Sequence, residues 1–328
     1  MKTLQNWVSM SALVLALTWA AGAEAQDRLV VVNKAANTVS LVDAVTLEEG
    51  VVIPTQPNPH EVHVSPDARF AYVSDYGGSY GDSLTVIDLA TDSAIATWSL
   101  GEYRGPHGIW TSNDGAHVWV TAERTNRIVE FDTATGEISR SWDTGRPGSH
   151  QLAVAPDNSA IYVANLSGQS ITVIDLVRDE VSIIESGNGP EAIDVSPDGL
   201  ELWVGMRQDN EIRVYSTEDM SEIARLPSGG ELPIRLKFTP DGARVYVSNA
   251  ASNAVAVIDA ERRETIGSVG VGAVPVGILM QPDGSRVFVA NTQDDFVTII
   301  DPDSLTVSGR VVAGDEPDGL AWAPARGD

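Results

Sequence analysis

Hydrophobic positions along the chain fall in short β-branched runs separated by turn residues. Arg28–Asn33 (RLVVVN) and Thr38–Asp43 (TVSLVD) are two such runs joined by a polar turn, and 49–53 makes a third. Runs of this length and composition predict strands. From residue 59 the pattern gains a fourth run and becomes regular: Pro59-His60-Glu61-Val62 to Pro66-Asp67, then Phe70-Ala71-Tyr72-Val73, then 84–88, then 94–100. Further copies begin at Pro106, Ser149, Pro190, Pro233, Pro275 and Pro317, at spacings of 47, 43, 41, 43, 42 and 42 residues. A period of about 40–45 residues with four strands per repeat is the signature of a propeller blade. The N-terminal part supplies second, third and fourth strands without a first, and Pro317 onward supplies a first strand with nothing after it. The expected fold is therefore an all-β, seven-bladed β-propeller of four antiparallel strands per blade, its last blade closed by strands from both ends of the chain. Truncating either end is expected to destabilise the whole ring.

The turns repeat as well. Pro-Asp recurs at Pro66-Asp67, Pro156-Asp157, Pro197-Asp198, Pro240-Asp241 and Pro282-Asp283, predicting tight turns between first and second strands. Asp88, Asp132, Asp175, Asp259 and Asp301 end the third strands, and their isolation on separate blades points to turn chemistry rather than a calcium array.

Composition changes the picture at one end of the chain and at the surface. Residues 1–25 carry Lys2, an apolar stretch over 8–20 and Ala23-Glu24-Ala25 before Gln26, the pattern of a secretory signal peptide, leaving 26–328 as one propeller domain. The expected location is the periplasm or the exterior of the cell. A formal net charge of −25 repels phosphate backbones and anionic lipid, so nucleic acid is not an expected partner. No stretch after residue 25 reaches about 18 consecutive apolar residues, so no membrane span is expected. The absence of cysteine excludes disulfides, thiolate metal sites and covalent c-type haem.

Candidate chemistry lies on one face. The loop before the first strand and the loop between the second and third strands fall on the same side of a blade, around the central channel. The position after each repeat's first residue therefore forms a ring, in blade order Asp318, His60, His107, His150, Glu191, Ile234 and Val276. Three of the chain's five histidines stand on three successive blades. Neutral imidazoles beside Glu191 and Asp318 suit a divalent metal such as zinc with an open position for water, or an organic ligand. A Pro-His pair that caps the start of a strand is the structural alternative. Tyr76, Glu123 and Arg207 in the second-to-third loops, and Arg104 before the second copy, are expected on this face, the two arginines suiting a carboxylate or phosphate. The Gly-rich loop 75–82, with Tyr76 and Tyr80, has the composition of a lid or of a tolerated surface insertion. His63 alternates with Val62 and Val64 and is expected towards the channel, whereas His117 is expected near the opposite face in a structural role. Trp110, Trp119, Trp203 and Trp322 are expected to pack between blades.

Tyr162-Val163-Ala164-Asn165, Tyr246-Val247-Ser248-Asn249 and Phe288-Val289-Ala290-Asn291, each followed by a run such as Val173-Ile174-Asp175, resemble the YVTN-type β-propeller repeat. The resemblance spans residues 26–328 and implies the fold. Similar propellers include lactonase-like enzymes, haem-d1-binding domains and electron-transfer subunits. At Ala122 and Met206 the turn Asn of the motif is replaced, so those turns are expected to differ. Two functional readings follow: a module, expected to be a monomer, that binds a small molecule or an envelope protein through its histidine face, or a metal-dependent hydrolase or lyase using His60, His107 and His150.

Overall fold

The computed structural model describes residues 26–77 and 81–326. The segment 1–25, expected to be a signal peptide, and Tyr80 of the expected lid lie outside the described residues.

Seven four-stranded antiparallel sheets follow one another around the ring. Blade one comprises Pro59–Val64, Phe70–Asp75, Ser83–Asp88 and Ser93–Ser99 from channel to rim, and blades two to six start at Pro106, Ser149, Pro190, Pro233 and Pro275. Blade seven joins the chain ends: Pro317–Ala323 pairs with Arg28–Asn33, Arg28 opposite Ala323 and Asn33 opposite Pro317, and Thr38–Asp43 and Glu49–Pro54 complete it. The closed seven-bladed ring predicted from the repeat is thus present.

Burial falls from the axis outward, because blades stack face to face and only their outer edges meet water. Second strands such as Ala160–Asn165 are buried almost throughout, whereas the fourth strand Glu180–Glu185 is mostly exposed. Each core cluster sits between neighbouring blades; Ile212, Val214 and Leu226 of blade four pack on Leu236, Phe238 and Val245 of blade five. This explains why inner strands are continuously apolar rather than alternating.

The turn aspartates act locally. Asp67 accepts from Ser65 Oγ (2.6 Å) and the Arg69 amide (3.0 Å), and Asp88 accepts from two backbone N–H groups, of Ala90 and Thr91. The signature asparagines brace the blade from inside: Asn165 Nδ2 donates to Ser170 Oγ (3.1 Å) and Thr172 Oγ1 (2.8 Å). The turns do not divide by this residue as the motif suggested. A short 3₁₀ segment, Glu123–Thr125, follows Ala122, but Ala250–Ser252 follows Asn249 equally, and the turn after Met206 has neither. A left-handed residue before the third strand, such as Asn37, Asn126, Gln169, Asn210 or Asn253, closes these turns instead.

First strands open on an irregularity that shapes the channel. Their pairing shifts register just after the first residue, between Pro59 and Val62 in blade one and between Pro233 and Arg235 in blade five. Such a bulge lets two successive residues reach the same side. The channel is consequently lined at this level by two consecutive rings rather than one.

Candidate functional site at the channel mouth

The outer of these rings carries the histidines, and they converge. The His60 and His107 ring centroids are 5.0 Å apart, and those of His107 and His150 3.8 Å. Tyr76 lies over the first two, 4.6 Å from His60 and edge-on to His107 at 5.7 Å, with the Arg124 guanidinium 4.1 Å from its own ring centroid.

The three imidazoles are not equivalent. His60 Nδ1 lies 3.0 Å from the Asn58 carbonyl, so here the capping geometry is realised; burial lowers its pKa. His107 is 3% exposed, its Nδ1 has no hydrogen-bond partner, and burial pushes its pKa well below the usual value, helped by the charge of His150. His150 is the opposite case. Burial disfavours its charge, but Nδ1 lies 3.1 Å from Glu123 Oε2 and Nε2 3.4 Å from Glu191 Oε1, and these carboxylates raise its pKa to about 9. An imidazolium thus stands against a neutral imidazole, by the rule that nearby charge and burial drive pKa values apart.

Charged residues around the mouth are paired. Glu191 Oε2 lies 2.7 Å from Arg207 Nη1, and Lys34 Nζ is 3.5 Å from Asp318 Oδ2, leaving Asp318 Oδ1 without a partner. Tyr76, Glu123, Glu191, Arg207 and Asp318 therefore gather with the histidines as expected. Arg104 does not: its guanidinium turns back to the carbonyls of Gly101 and Tyr103 and lies 3.5 Å from Asp82. A left-handed Gly105 separates it from the next strand, which begins at Pro106. Among the described residues, no three His, Asp or Glu side chains stand in an arrangement that would hold a metal. Both His150 nitrogens face carboxylates, which accounts for this in part.

Beneath the histidines lies a ring not anticipated from the sequence: Glu61, Gly108, Gln151, Ala192, Arg235, Gly277 and Gly319. Glu61 accepts from Gln151 Nε2 at 2.6 Å and pairs with Arg235 across the channel. Arg235 Nη1 also lies 3.8 Å from Glu191 Oε1. Three large polar side chains thus plug the channel, and four small residues make room for them. The signal was present as an alternation of large polar and small residues at one repeat position. Lys34 was missed too, although it occupies the loop position of Tyr76 in blade seven.

A family model described as lactonase, 7-bladed beta-propeller, matches residues 54–270. The chain belongs to this family of seven-bladed propellers. The hydrazine synthase subunit beta of Kuenenia stuttgartiensis is 31% identical over 248 residues, covering 68% of this chain and 59% of that protein. A seven-bladed β-propeller protein of Mycobacterium tuberculosis is 28% identical over 109 residues, covering 33% of this chain and 27% of that protein. The chain thus spans between about a quarter and three fifths of these relatives' own length. The solved hydrazine synthase superposes with a TM-score of 0.76 at 22% identity, covering 84% of this chain and 92% of that one. A candidate 6-phosphogluconolactonase from Bacteroides uniformis superposes with a TM-score of 0.76 at 16% identity, covering 90% and 99%. At these identities the structural likenesses concern the fold alone.

Proposed function

We propose that this lactonase-family propeller binds a small, oxygen-rich organic molecule, an organic acid or its cyclic ester, at the histidine mouth of its channel. The observation that carries this reading is His107, which is buried and neutral, has no partner for Nδ1, and lies against the protonated His150. A buried polar atom left unpaired costs about 1–3 kcal/mol. Nδ1 is itself covered, so a ligand hydroxyl or carbonyl would remove that cost once the neighbouring side chains open around it. His150 supplies positive charge beside it, and Arg207 and Lys34 stand at the rim. Read as a secretory signal, the segment before residue 26 supports binding in the periplasm or outside the cell, with a small molecule or an envelope protein as the partner.

A second reading is catalytic. His150, held between Glu123 and Glu191, has the support required of a proton donor in lactone hydrolysis or ring opening. In its metal-dependent form a divalent ion such as zinc would sit on His60, His107 and His150. His60 and His107 are neutral and suited to that; His150 would have to release its proton and a carboxylate contact.

Calorimetric titration of the purified protein against a panel of hydroxy acids and lactones, with parallel metal analysis, tests both. The expected result is saturable one-site binding of at least one compound, weakened about tenfold or more by His107→Ala and falling as pH rises through about 9, where His150 loses its proton. No binding across the panel, or binding indifferent to His107→Ala, would overturn the reading. Stoichiometric metal lost in a His60→Ala, His107→Ala, His150→Ala variant would favour the metalloenzyme instead.

A further inference from the structure

The other end of the channel holds a cavity of about 440 Å³. Small-molecule sites commonly occupy roughly 300–1,000 Å³ behind apolar walls that carry a few placed polar groups. Glu61, Gln151 and Arg235 form its roof, so the same plug that closes the histidine mouth from below closes this cavity from above. Pro197, Pro240 and Pro282, from the first-to-second turns, edge its opening on the face opposite the histidines. Its walls are apolar, with Leu152, Ile278, Leu279, Leu320 and Trp322 prominent among them.

The polar groups are few and largely spent on each other. Lys237 Nζ lies 3.0 Å from Asp194 Oδ1 and reaches over the Trp110 ring at 5.5 Å, while the His63 ring stands 4.3 Å from the same indole. Glu61 is paired with Arg235. The four ionised groups of the lining cancel pairwise, which leaves no net charge to attract an ion.

His63 is the exception. Its Nδ1 lies 3.3 Å from the Thr111 amide and 2.6 Å from Thr111 Oγ1. The Thr111 amide N–H only donates, so that contact makes Nδ1 an acceptor and puts the proton of the neutral ring on Nε2. The Thr111 hydroxyl also lies 3.2 Å from the Val64 carbonyl. If its proton is spent there, Nδ1 donates to it and Nε2 offers a lone pair instead, the alternative that preference for a hydroxyl-bearing over a carbonyl-bearing ligand would reveal. Burial keeps the ring neutral, with its pKa pushed down to about 3. None of the hydrogen bonds among the described residues uses Nε2, so the ring offers this apolar chamber one donor.

We propose that this lower cavity is a second binding site, separate from the histidine mouth, for an uncharged ring compound bearing a carbonyl oxygen. The ring would lie against Leu279, Leu320 and Trp322, with the oxygen accepting from His63 Nε2–H. Paired lining charges disfavour an ionic ligand, since its own charge would be desolvated without a partner. A purely apolar ligand would leave the His63 donor unsatisfied.

The probe is 2-propionyl-6-dimethylaminonaphthalene, a neutral carbonyl-bearing naphthalene whose emission moves to shorter wavelength in apolar surroundings. Titration into the wild-type protein is expected to give a saturable blue shift at one site per chain. Leu279→Trp, which fills the chamber, should weaken it about tenfold or more, and His63→Phe, which keeps a ring but removes the donor, several-fold. The variant lacking His60, His107 and His150 should bind as the wild type does. Should Leu279→Trp fail to fold by circular dichroism, Leu320→Trp takes its place. The proposal is overturned if no saturable shift appears, if the filled and folded variant binds undiminished, or if binding vanishes with the mouth histidines. Undiminished binding in His63→Phe overturns the assigned hydrogen bond and with it the carbonyl-bearing class.

Discussion

Asp75 ends the second strand of blade one where Asn33, Asn165, Asn249 and Asn291 stand in their own blades. It is 1% exposed and accepts from Ser83 Oγ (3.0 Å) and Thr85 Oγ1 (2.9 Å). Burial pushes its carboxyl up to about 7 despite those two hydrogen bonds. A folded-state pKa above the unfolded value of about 3.9 means that the folded protein holds this proton more tightly. The contribution is therefore fully present below about pH 4 and is lost as pH rises through about 7. Asp75→Asn, which restores the repeat residue, is expected to raise stability at pH 8 by on the order of 1–4 kcal/mol and to change little at pH 4. Denaturant midpoints at the two pH values check this, and an equal effect at both would refute it. Only Ala122 and Met206 were marked in the sequence as departures from the turn Asn, so this one was missed, and its cost depends on burial, which depends on the neighbouring blade. Trp110 carries the converse lesson. Trp203 is fully buried between blades as expected, whereas Trp110 lines the lower cavity beside His63. Trp203 stands on a second strand, inside the stack of blades, whereas Trp110 stands on a first strand, which lines the channel.

At the scale of the element, the first strand holds most of what matters for function. Its second residue was legible because seven aligned copies expose a ring of like positions. Its third residue was not. Alternation says that successive strand residues point apart, while the bulge after Pro59 and its counterparts brings both to the channel. The small members of this inner ring are as constrained as the large ones. A Cβ on Gly277 would lie 2.1 Å from the Asp318 carbonyl oxygen, and one on Gly319 2.5 Å from that of His60. Backbone cannot retreat as a flexible side chain can. Gly277→Ala is therefore expected to cost more than about 2 kcal/mol, in the range of overpacked cores, whereas Gly270→Ala, with nothing within 4 Å, should be near neutral. Urea denaturation of the two variants compares them directly, and equal midpoints would contradict the close approach.

Across the whole molecule the dominant feature is closure. Pro317–Ala323 is the innermost strand of the blade that also contains Arg28–Asn33, and Trp322 packs on Phe288 of blade six at 5.9 Å between centroids. Ending the chain at residue 316 removes that strand, bares the edge of Arg28–Asn33 and exposes the faces of blades six and one. The expected result is loss of cooperative thermal unfolding for the entire ring, with aggregation on gel filtration. A truncated protein that melts cooperatively near the wild-type temperature would show that the seam is not needed.

The repeat by itself determined the number of blades, their strand order, the seam and the face that carries the histidines. Each follows from patterns local to some forty residues and copied along the chain. The tertiary structure alone decided which imidazole is charged, that Arg104 turns away, that Glu61, Gln151 and Arg235 divide the channel, and that a chamber lies beneath them. These depend on side chains from blades distant in sequence meeting at the axis. Their distances and burial exist only once the ring has closed.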